Sequence, residues 1–170
     1  MNVLVKKSLI SLSLLFSSLL PANYIHENNQ PLFDLTTQAD VINLNSGDDS
    51  LSNAFDLNFT FNFYGEGFTS ARMATNGCLH FGLGTGNINY NNYCGDYTPD
   101  PLPRYDNTLF PFWTDLIRDN DSKMLAKNFS DKAVFGWYDL REYYRDGSDN
   151  SFEVVLWSNS TFDYLYGALD

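Results

Sequence analysis

The sequence predicts an all-β fold: an antiparallel β-sandwich, or a partly open barrel, of about 7–10 short strands. The first observation is the run from Phe55 to Phe63, in which large apolar side chains alternate with polar ones. This period of two places the apolar side chains on one face of a strand. The second is the composition, because 14 Phe and 11 Tyr residues favour strands. The third is a succession of short apolar runs separated by turn residues in the second half of the chain.

A tight hairpin is predicted at Asn76-Gly77, which lies between two strand-like runs. Asn and Gly both tolerate the positive φ angles of a type I′ turn, whose twist matches that of paired strands. We therefore expect residues Ala71–Thr75 to pair with residues Cys78–Gly82.

The regions on either side of this hairpin are less regular. Residues 23–50 are a polar leader segment with at most one short strand, near Val41–Leu44. Residues 51–170 form the β domain, and whether the natural chain continues beyond Asp170 is left open. Residues 108–116 are apolar but contain Pro111, which cannot donate to a ladder, so this run is an edge strand or a bulged entry. Further strands are predicted at Met124–Phe129, Ala133–Leu140, Phe152–Trp157 and Thr161–Tyr166.

Residues 1–22 have the layout of a secretory signal peptide. Lys6 and Lys7 form a positive start, an apolar run of thirteen residues follows, and a cleavage point comes after Ala22. The run is shorter than the ~20 apolar residues that a membrane span needs. The alternative is an uncleaved N-terminal anchor or a buried hydrophobic start. The signal peptide predicts a secreted or extracellular protein whose mature domain does not insert into a membrane.

The net negative charge of the chain limits the kinds of partner that we expect. Without residues 1–22, the chain keeps 8 basic against 21 acidic residues, a net charge of −13. Such a surface repels phosphate backbones, so a nucleic-acid partner is not expected. Cations, basic proteins and glycans remain compatible with it.

The two cysteines, Cys78 and Cys94, predict a disulfide, because an even count behind an export signal is typical of secreted proteins. Two free thiols are the alternative. The bridge would pin the middle of a Gly-, Asn- and Pro-rich loop at residues 83–107. Long loops of this kind are often functional, and tyrosines suit adaptable binding surfaces or cover the domain's own core. The candidate binding residues of this loop are Tyr90, Tyr93, Tyr97 and Tyr105.

No pattern in the sequence predicts catalysis. His80 shares a strand face with Cys78, but positions two apart lie about 7 Å apart along a strand, so a disulfide cysteine beside a surface histidine is favoured over a nucleophile pair. A hydrolase would need paired carboxylates across a cleft, such as Asp96 and Asp100, and the sequence does not fix that geometry. Acidic turns make Ca²⁺ the one candidate cofactor, with ordinary turn chemistry as the alternative. Its candidate ligands are Asp115, Asp119 and Asp121.

Four motifs, in order, resemble the NIDO domain, an extracellular domain of nidogen, tectorin-type proteins and membrane mucins. They span about residues 50–170. The Tyr/Asn-rich insertion between Gly82 and Thr108 has no counterpart in that pattern, and no neighbouring EGF-like module is visible. The motifs are the run from Phe61 to Gly65, the hairpin from Met73 to Gly82, Pro111-Phe112-Trp113-Thr114-Asp115, and the strand from Ser151 to Trp157.

The resemblance implies a non-catalytic adhesion or structural module that recognises a protein or glycan surface. Three hypotheses follow: an extracellular adhesion or structural module, a glycan-binding module that uses the tyrosine loop, and, less favoured, a hydrolase. The sequence leaves the source open between a metazoan matrix, a bacterial surface and a virion.

Overall fold

The computed structural model describes residues 30–45, 47–82, 94 and 106–170. In this part of the chain it contains ten strands and one short 3-10 helix, Leu35–Thr37, so the all-β prediction is confirmed. The strands, in chain order, are Ile42–Asn43 (β1), Phe55–Phe63 (β2), Glu66–Met73 (β3), Leu79–Phe81 (β4), Thr108–Leu109 (β5), Leu116–Ile117 (β6), Lys123–Asn128 (β7), Lys132–Glu142 (β8), Asn150–Trp157 (β9) and Phe162–Tyr166 (β10).

The strands form two antiparallel sheets that face each other as a sandwich. The larger sheet has the order β1-β7-β8-β9-β10, and β6 pairs with the end of β8. The smaller sheet has the order β2-β3-β4-β5. Neither sheet closes on itself, so of the two architectures expected the sandwich is the one observed.

The alternation in β2 directs its aromatic side chains into the space between the sheets. Phe55, Phe61 and Phe63 are buried and Phe59 is half-buried, whereas the polar side chains between them are exposed. Phe61 stacks on Phe81 of β4 with ring centroids 5.2 Å apart. Burial of each such ring contributes about 1.5–3 kcal/mol, so this one strand supplies a large share of the core.

The segment predicted as a leader is packed against the domain. Residues 32–41, called the strap below, cover the outer face of the larger sheet, and Leu35 is fully buried there. The carboxylate of Glu153 on β9 accepts hydrogen bonds from the backbone N–H groups of Phe33 (2.8 Å) and Asp34 (2.9 Å). It also accepts one from the Tyr138 hydroxyl (2.5 Å), which in turn accepts from the Leu35 N–H. The folded unit therefore begins before residue 51.

Only the first two residues of the run that contains Pro111 pair with the smaller sheet. Thr108 and Leu109 form β5 at the edge of the smaller sheet, and the chain regains strand geometry only at β6, in the larger sheet. Of the two alternatives expected for this run, the edge strand is the one observed, and Pro111 lies in the crossing from one sheet to the other. The strands predicted downstream match β7 to β10 to within two residues at each end.

Candidate functional site

The predicted hairpin is present, but its turn is of a different type. Met73 pairs with Leu79, the Ala74 N–H donates to the Cys78 carbonyl (2.8 Å), and the Gly77 N–H donates to the Ala74 carbonyl (3.1 Å). The loop therefore has three residues, and of Asn76 and Gly77 only Gly77 adopts a positive φ, of 77°. A type I′ turn needs positive φ at both central residues, so that prediction is wrong.

Asn76 departs from the expected geometry because its side chain is used in tertiary contacts. It is fully buried, its Nδ2 donates to Asp49 Oδ1 (2.9 Å), and its Oδ1 accepts from the Leu116 N–H (3.1 Å). Leu116 begins β6, so this one amide ties the turn of the smaller sheet to the larger sheet. Trp137 of β8 adds a second link, because its Nε1 donates to the Ala74 carbonyl (2.9 Å).

The disulfide between Cys78 and Cys94 is present, and both residues are fully buried. The Trp113 indole Nε1 donates to the Cys94 carbonyl (2.8 Å), so the backbone at Cys94 is held as well as its side chain. His80 is 2% exposed, and the surface position expected for it is therefore wrong. Its ring contacts the sulfur of Cys94, which strand spacing alone could not reveal.

An acidic cluster lies beside this turn. The carboxylates of Asp48, Asp49 and Asp115 each offer an oxygen within 4.8 Å of the others. Partial burial raises the pKa of Asp48 above its ordinary value, and the negative charges of Asp49 and Asp115 raise it further. Their oxygens are of the kind Ca²⁺ prefers, although Ca²⁺ takes 6–8 of them.

The cluster differs from the set of candidate Ca²⁺ ligands read from the sequence. Asp115 is a member, whereas Asp119 closes its own turn by accepting hydrogen bonds from the Ser122 hydroxyl (2.7 Å) and N–H (3.0 Å). These bonds lower the pKa of Asp119. Asp121, whose N–H also donates to Asp119, is exposed, and within the described ranges neither residue joins Asp115 in a group of three.

Two exposed tyrosines border the acidic cluster. The Tyr143 N–H donates to the Asp115 carbonyl (2.8 Å), and the rings of Tyr143 and Tyr144 meet edge to face at 4.7 Å. Tyr144 is 89% exposed, so its ring is offered to solvent. We call the region formed by residues 47–50, 76–78, 94, 110–116 and 143–149 the loop end of the sandwich; its exposed part includes Tyr143 and Tyr144.

The opposite end of the sandwich provides a natural comparison. The β2–β3 turn at Tyr64 lies at the far end of β3 from the Asn76 turn, and the Asn62 N–H donates to Ser160 Oγ of the β9–β10 turn (2.9 Å). Tyr64 is 88% exposed. The two ends therefore each carry a tyrosine of almost equal exposure.

Four tyrosines predicted to form a binding loop lie outside the described residues, and so do the carboxylates of Asp96 and Asp100. Only the anchor of that loop, Cys94, is described, and it lies at the loop end. The sequence signals for this loop were its length and its Gly, Asn, Pro and Tyr content, and the pair of cysteines predicted its anchor. Nothing in the sequence signalled that Tyr143 lies beside Asp115, with Tyr144 next to it. The predicted binding residues outside the described part are Tyr90, Tyr93, Tyr97 and Tyr105.

Comparison with known families agrees with this fold. The family model described as NIDO related matches residues 23–168, so the chain belongs to the NIDO-related family. The match includes the strap, in keeping with its packing on the larger sheet. No match was found among curated proteins or among solved structures.

The family is that of an extracellular-type module, and the disulfide is compatible with an extracellular location. In the part of the chain that is described, no helix has the length and apolar character needed to cross a membrane.

Proposed function

We propose that the domain is a non-catalytic adhesion or structural module that recognises a protein or glycan surface through the loop end. The observation that carries this proposal is the exposed pair Tyr143–Tyr144, of which Tyr143 is bonded to the backbone of Asp115, at the end of the sandwich that also carries the Cys78–Cys94 disulfide. Tyrosine combines a broad apolar face with a polar hydroxyl at low conformational cost, which suits recognition of either kind of surface.

The use of the buried polar groups supports a structural interpretation over a catalytic one. Glu153 is fully buried, and its carboxylate accepts from two backbone N–H groups of the strap and from Tyr138. The side-chain amide of Asn76 is likewise hydrogen-bonded to Asp49 and to the Leu116 N–H. A catalytic carboxylate has to reach a substrate in a cleft, whereas these groups hold the domain's own segments together.

Charge favours a partner with cationic groups at its surface. The chain has a net charge of −11, and three carboxylates cluster at the loop end. Basic side chains on a partner would relieve the mutual repulsion of Asp48, Asp49 and Asp115, and Lys or Arg could also rest on the tyrosine faces. A glycan would use the same rings by stacking, together with Tyr93 and Tyr97 of the loop.

The test is a binding screen of the domain, residues 23–170, against printed glycans and immobilised extracellular proteins. For any ligand found, Tyr144→Ala should weaken binding about fivefold or more, since an aromatic anchor at an interface typically contributes over 1 kcal/mol. Tyr64→Ala is the matched control, because it removes a ring of equal exposure at the opposite end.

Binding lost with Tyr64→Ala and retained with Tyr144→Ala would contradict recognition through the loop end. The variants Tyr93→Ala and Tyr97→Ala separate the finer alternatives. If a glycan binds and each of these two variants abolishes its binding, the module is a glycan-binding one that uses the tyrosine loop. If neither has any effect, the tyrosine loop is not the glycan site.

A further inference from the structure

The outer face of the smaller sheet places a histidine against the disulfide. His80 Nε2 lies 3.3 Å from Cys94 Sγ, and His80 Nδ1 lies 2.8 Å from the Thr108 hydroxyl oxygen. All of these residues are buried. The histidine thus connects a cysteine on one side with a hydroxyl group on the other, within hydrogen-bond reach of both.

The hydrogen bonds of Thr108 determine which nitrogen of His80 carries the proton. A threonine hydroxyl has one hydrogen, and Thr108 donates it to the Asp106 carbonyl (2.9 Å). The contact with His80 therefore requires Nδ1–H to donate to the Thr108 oxygen. In the neutral ring, Nε2 is then the unprotonated nitrogen, and it is the one directed at Cys94.

We propose that His80, oriented by Thr108, is the base that activates Cys94, so that Cys94 is the attacking thiol when the Cys78–Cys94 bond forms. The site is a thiol–disulfide exchange site, and its co-reactant is a disulfide oxidant. His80 lies two residues after Cys78 on the same strand face, so a loop that brings Cys94 to Cys78 also brings it to the imidazole.

The chemistry balances as two successive exchanges. The Cys78 thiol loses its proton to solvent, and its thiolate attacks the oxidant RSSR, which forms Cys78–S–S–R and releases RS⁻; this first RS⁻ takes up a proton from solvent. The Cys94 thiol then gives its proton to His80 Nε2, and the resulting thiolate attacks Cys78 Sγ. A second RS⁻ leaves and takes up the proton from the imidazolium. The two cysteines lose two electrons in total, and RSSR is reduced to two RSH.

Two charged neighbours, Arg72 and Asp106, affect the ionisation of Cys94 and His80. Arg72 is the cross-strand partner of His80 on β3, and its guanidinium donates to the Ser52 carbonyl (3.1 Å); a positive charge there would favour a thiolate at Cys94 but disfavour the imidazolium. Asp106, two residues before Thr108, is exposed, so its carboxylate opposes the thiolate only through solvent. Burial without a partner would raise the pKa of a thiol, which is why the imidazole decides the outcome.

The first experiment compares two single-cysteine variants of the full chain. Cys78→Ser leaves Cys94 beside His80, and Cys94→Ser leaves Cys78 as the matched control. The pH–rate profile of iodoacetamide alkylation should have its midpoint about one pH unit or more lower for Cys94 than for Cys78. Adding His80→Gln to Cys78→Ser should abolish the difference. Equal midpoints, or a low Cys94 midpoint that survives His80→Gln, would overturn the proposal.

A second measurement does not depend on the folding of single-cysteine variants. The wild-type chain is reduced, returned to folding conditions with oxidised glutathione, and quenched at intervals for mass analysis. Closure of the mixed disulfide should be about threefold or more slower in His80→Gln at neutral pH, and the ratio should shrink as the pH rises above about 8.5, where the thiol ionises unaided. Identical rates at every pH would refute a role for His80.

Discussion

The tight contact between Gly77 and Phe112 gives the sharpest prediction about stability. A Cβ added at Gly77 would lie 1.9 Å from the Phe112 carbonyl oxygen and 2.9 Å from its carbonyl carbon. Both atoms belong to the backbone, so relief requires the 110–116 segment to move away from the turn. Gly77 also has φ of 77°, where a side chain costs about 1–2 kcal/mol.

A substitution at Gly147 measures the cost of a positive φ without the cost of a steric clash. Its φ is 79°, nearly that of Gly77, but a Cβ there would meet nothing within 4 Å. Gly147→Ala should therefore lower the free energy of unfolding by about 1–2 kcal/mol, from backbone strain alone. Gly77→Ala should cost a further 1–3 kcal/mol, roughly, because it overpacks a rigid contact.

Thermal and urea unfolding measure the difference. In a domain of this size, 1 kcal/mol shifts Tm by about 2–4 °C, so Gly77→Ala should melt at least about 2 °C below Gly147→Ala. Equal losses in the two variants would refute the claim that the turn is packed against Phe112. A larger loss in Gly147→Ala would refute it as well.

Three further perturbations test the strap, the acidic cluster and the disulfide. Burial raises the pKa of Glu153, so the contribution of this group to stability should be greatest below its ordinary pKa of 4.5 and should be lost as the pH rises through the raised value; Glu153→Gln should remove this contribution to the pH dependence in urea unfolding. Partial burial, together with repulsion from Asp49 and Asp115, raises the pKa of Asp48, so Asp48→Asn should stabilise the domain by up to about 0.5 kcal/mol at neutral pH, and the part due to repulsion should shrink in high salt. Reduction of the Cys78–Cys94 bond, which spans 16 positions, should destabilise the domain by about 3 kcal/mol.

For each of these three predictions, a specific result would contradict the reasoning. A pH slope that persists in Glu153→Gln would show that another group titrates. A loss of stability in Asp48→Asn, or a gain that grows with salt, would show that the three carboxylates do not repel. An unchanged urea midpoint after reduction would show that the disulfide contributes nothing to the free energy of unfolding.

Local pattern was enough to predict much of the fold. The alternation from Phe55 to Phe63 depends only on the strand period, and it fixed the buried face of β2. The pair Asn76-Gly77 located the hairpin, and the count of cysteines located the disulfide. In each case the deciding residues are neighbours in sequence or are too few to allow alternatives.

The features that the sequence missed depend on contacts between distant residues. The turn type was wrong because Asn76 binds Asp49 and Leu116, which lie 27 and 40 positions away. Glu153 holds a strap that lies 120 positions earlier in the chain, and a buried carboxylate on a strand gives no sign of such a partner. The acidic cluster likewise joins Asp48 and Asp49 to Asp115, so no local spacing could reveal it.

Hydrogen–deuterium exchange of the domain with a ligand selected in the binding screen tests the proposed recognition surface most directly. Bound ligand should slow exchange at residues 47–50, 110–116 and 143–149, and leave the turns at residues 64–65 and 158–161 unchanged. Protection confined to those two turns would contradict recognition through the loop end.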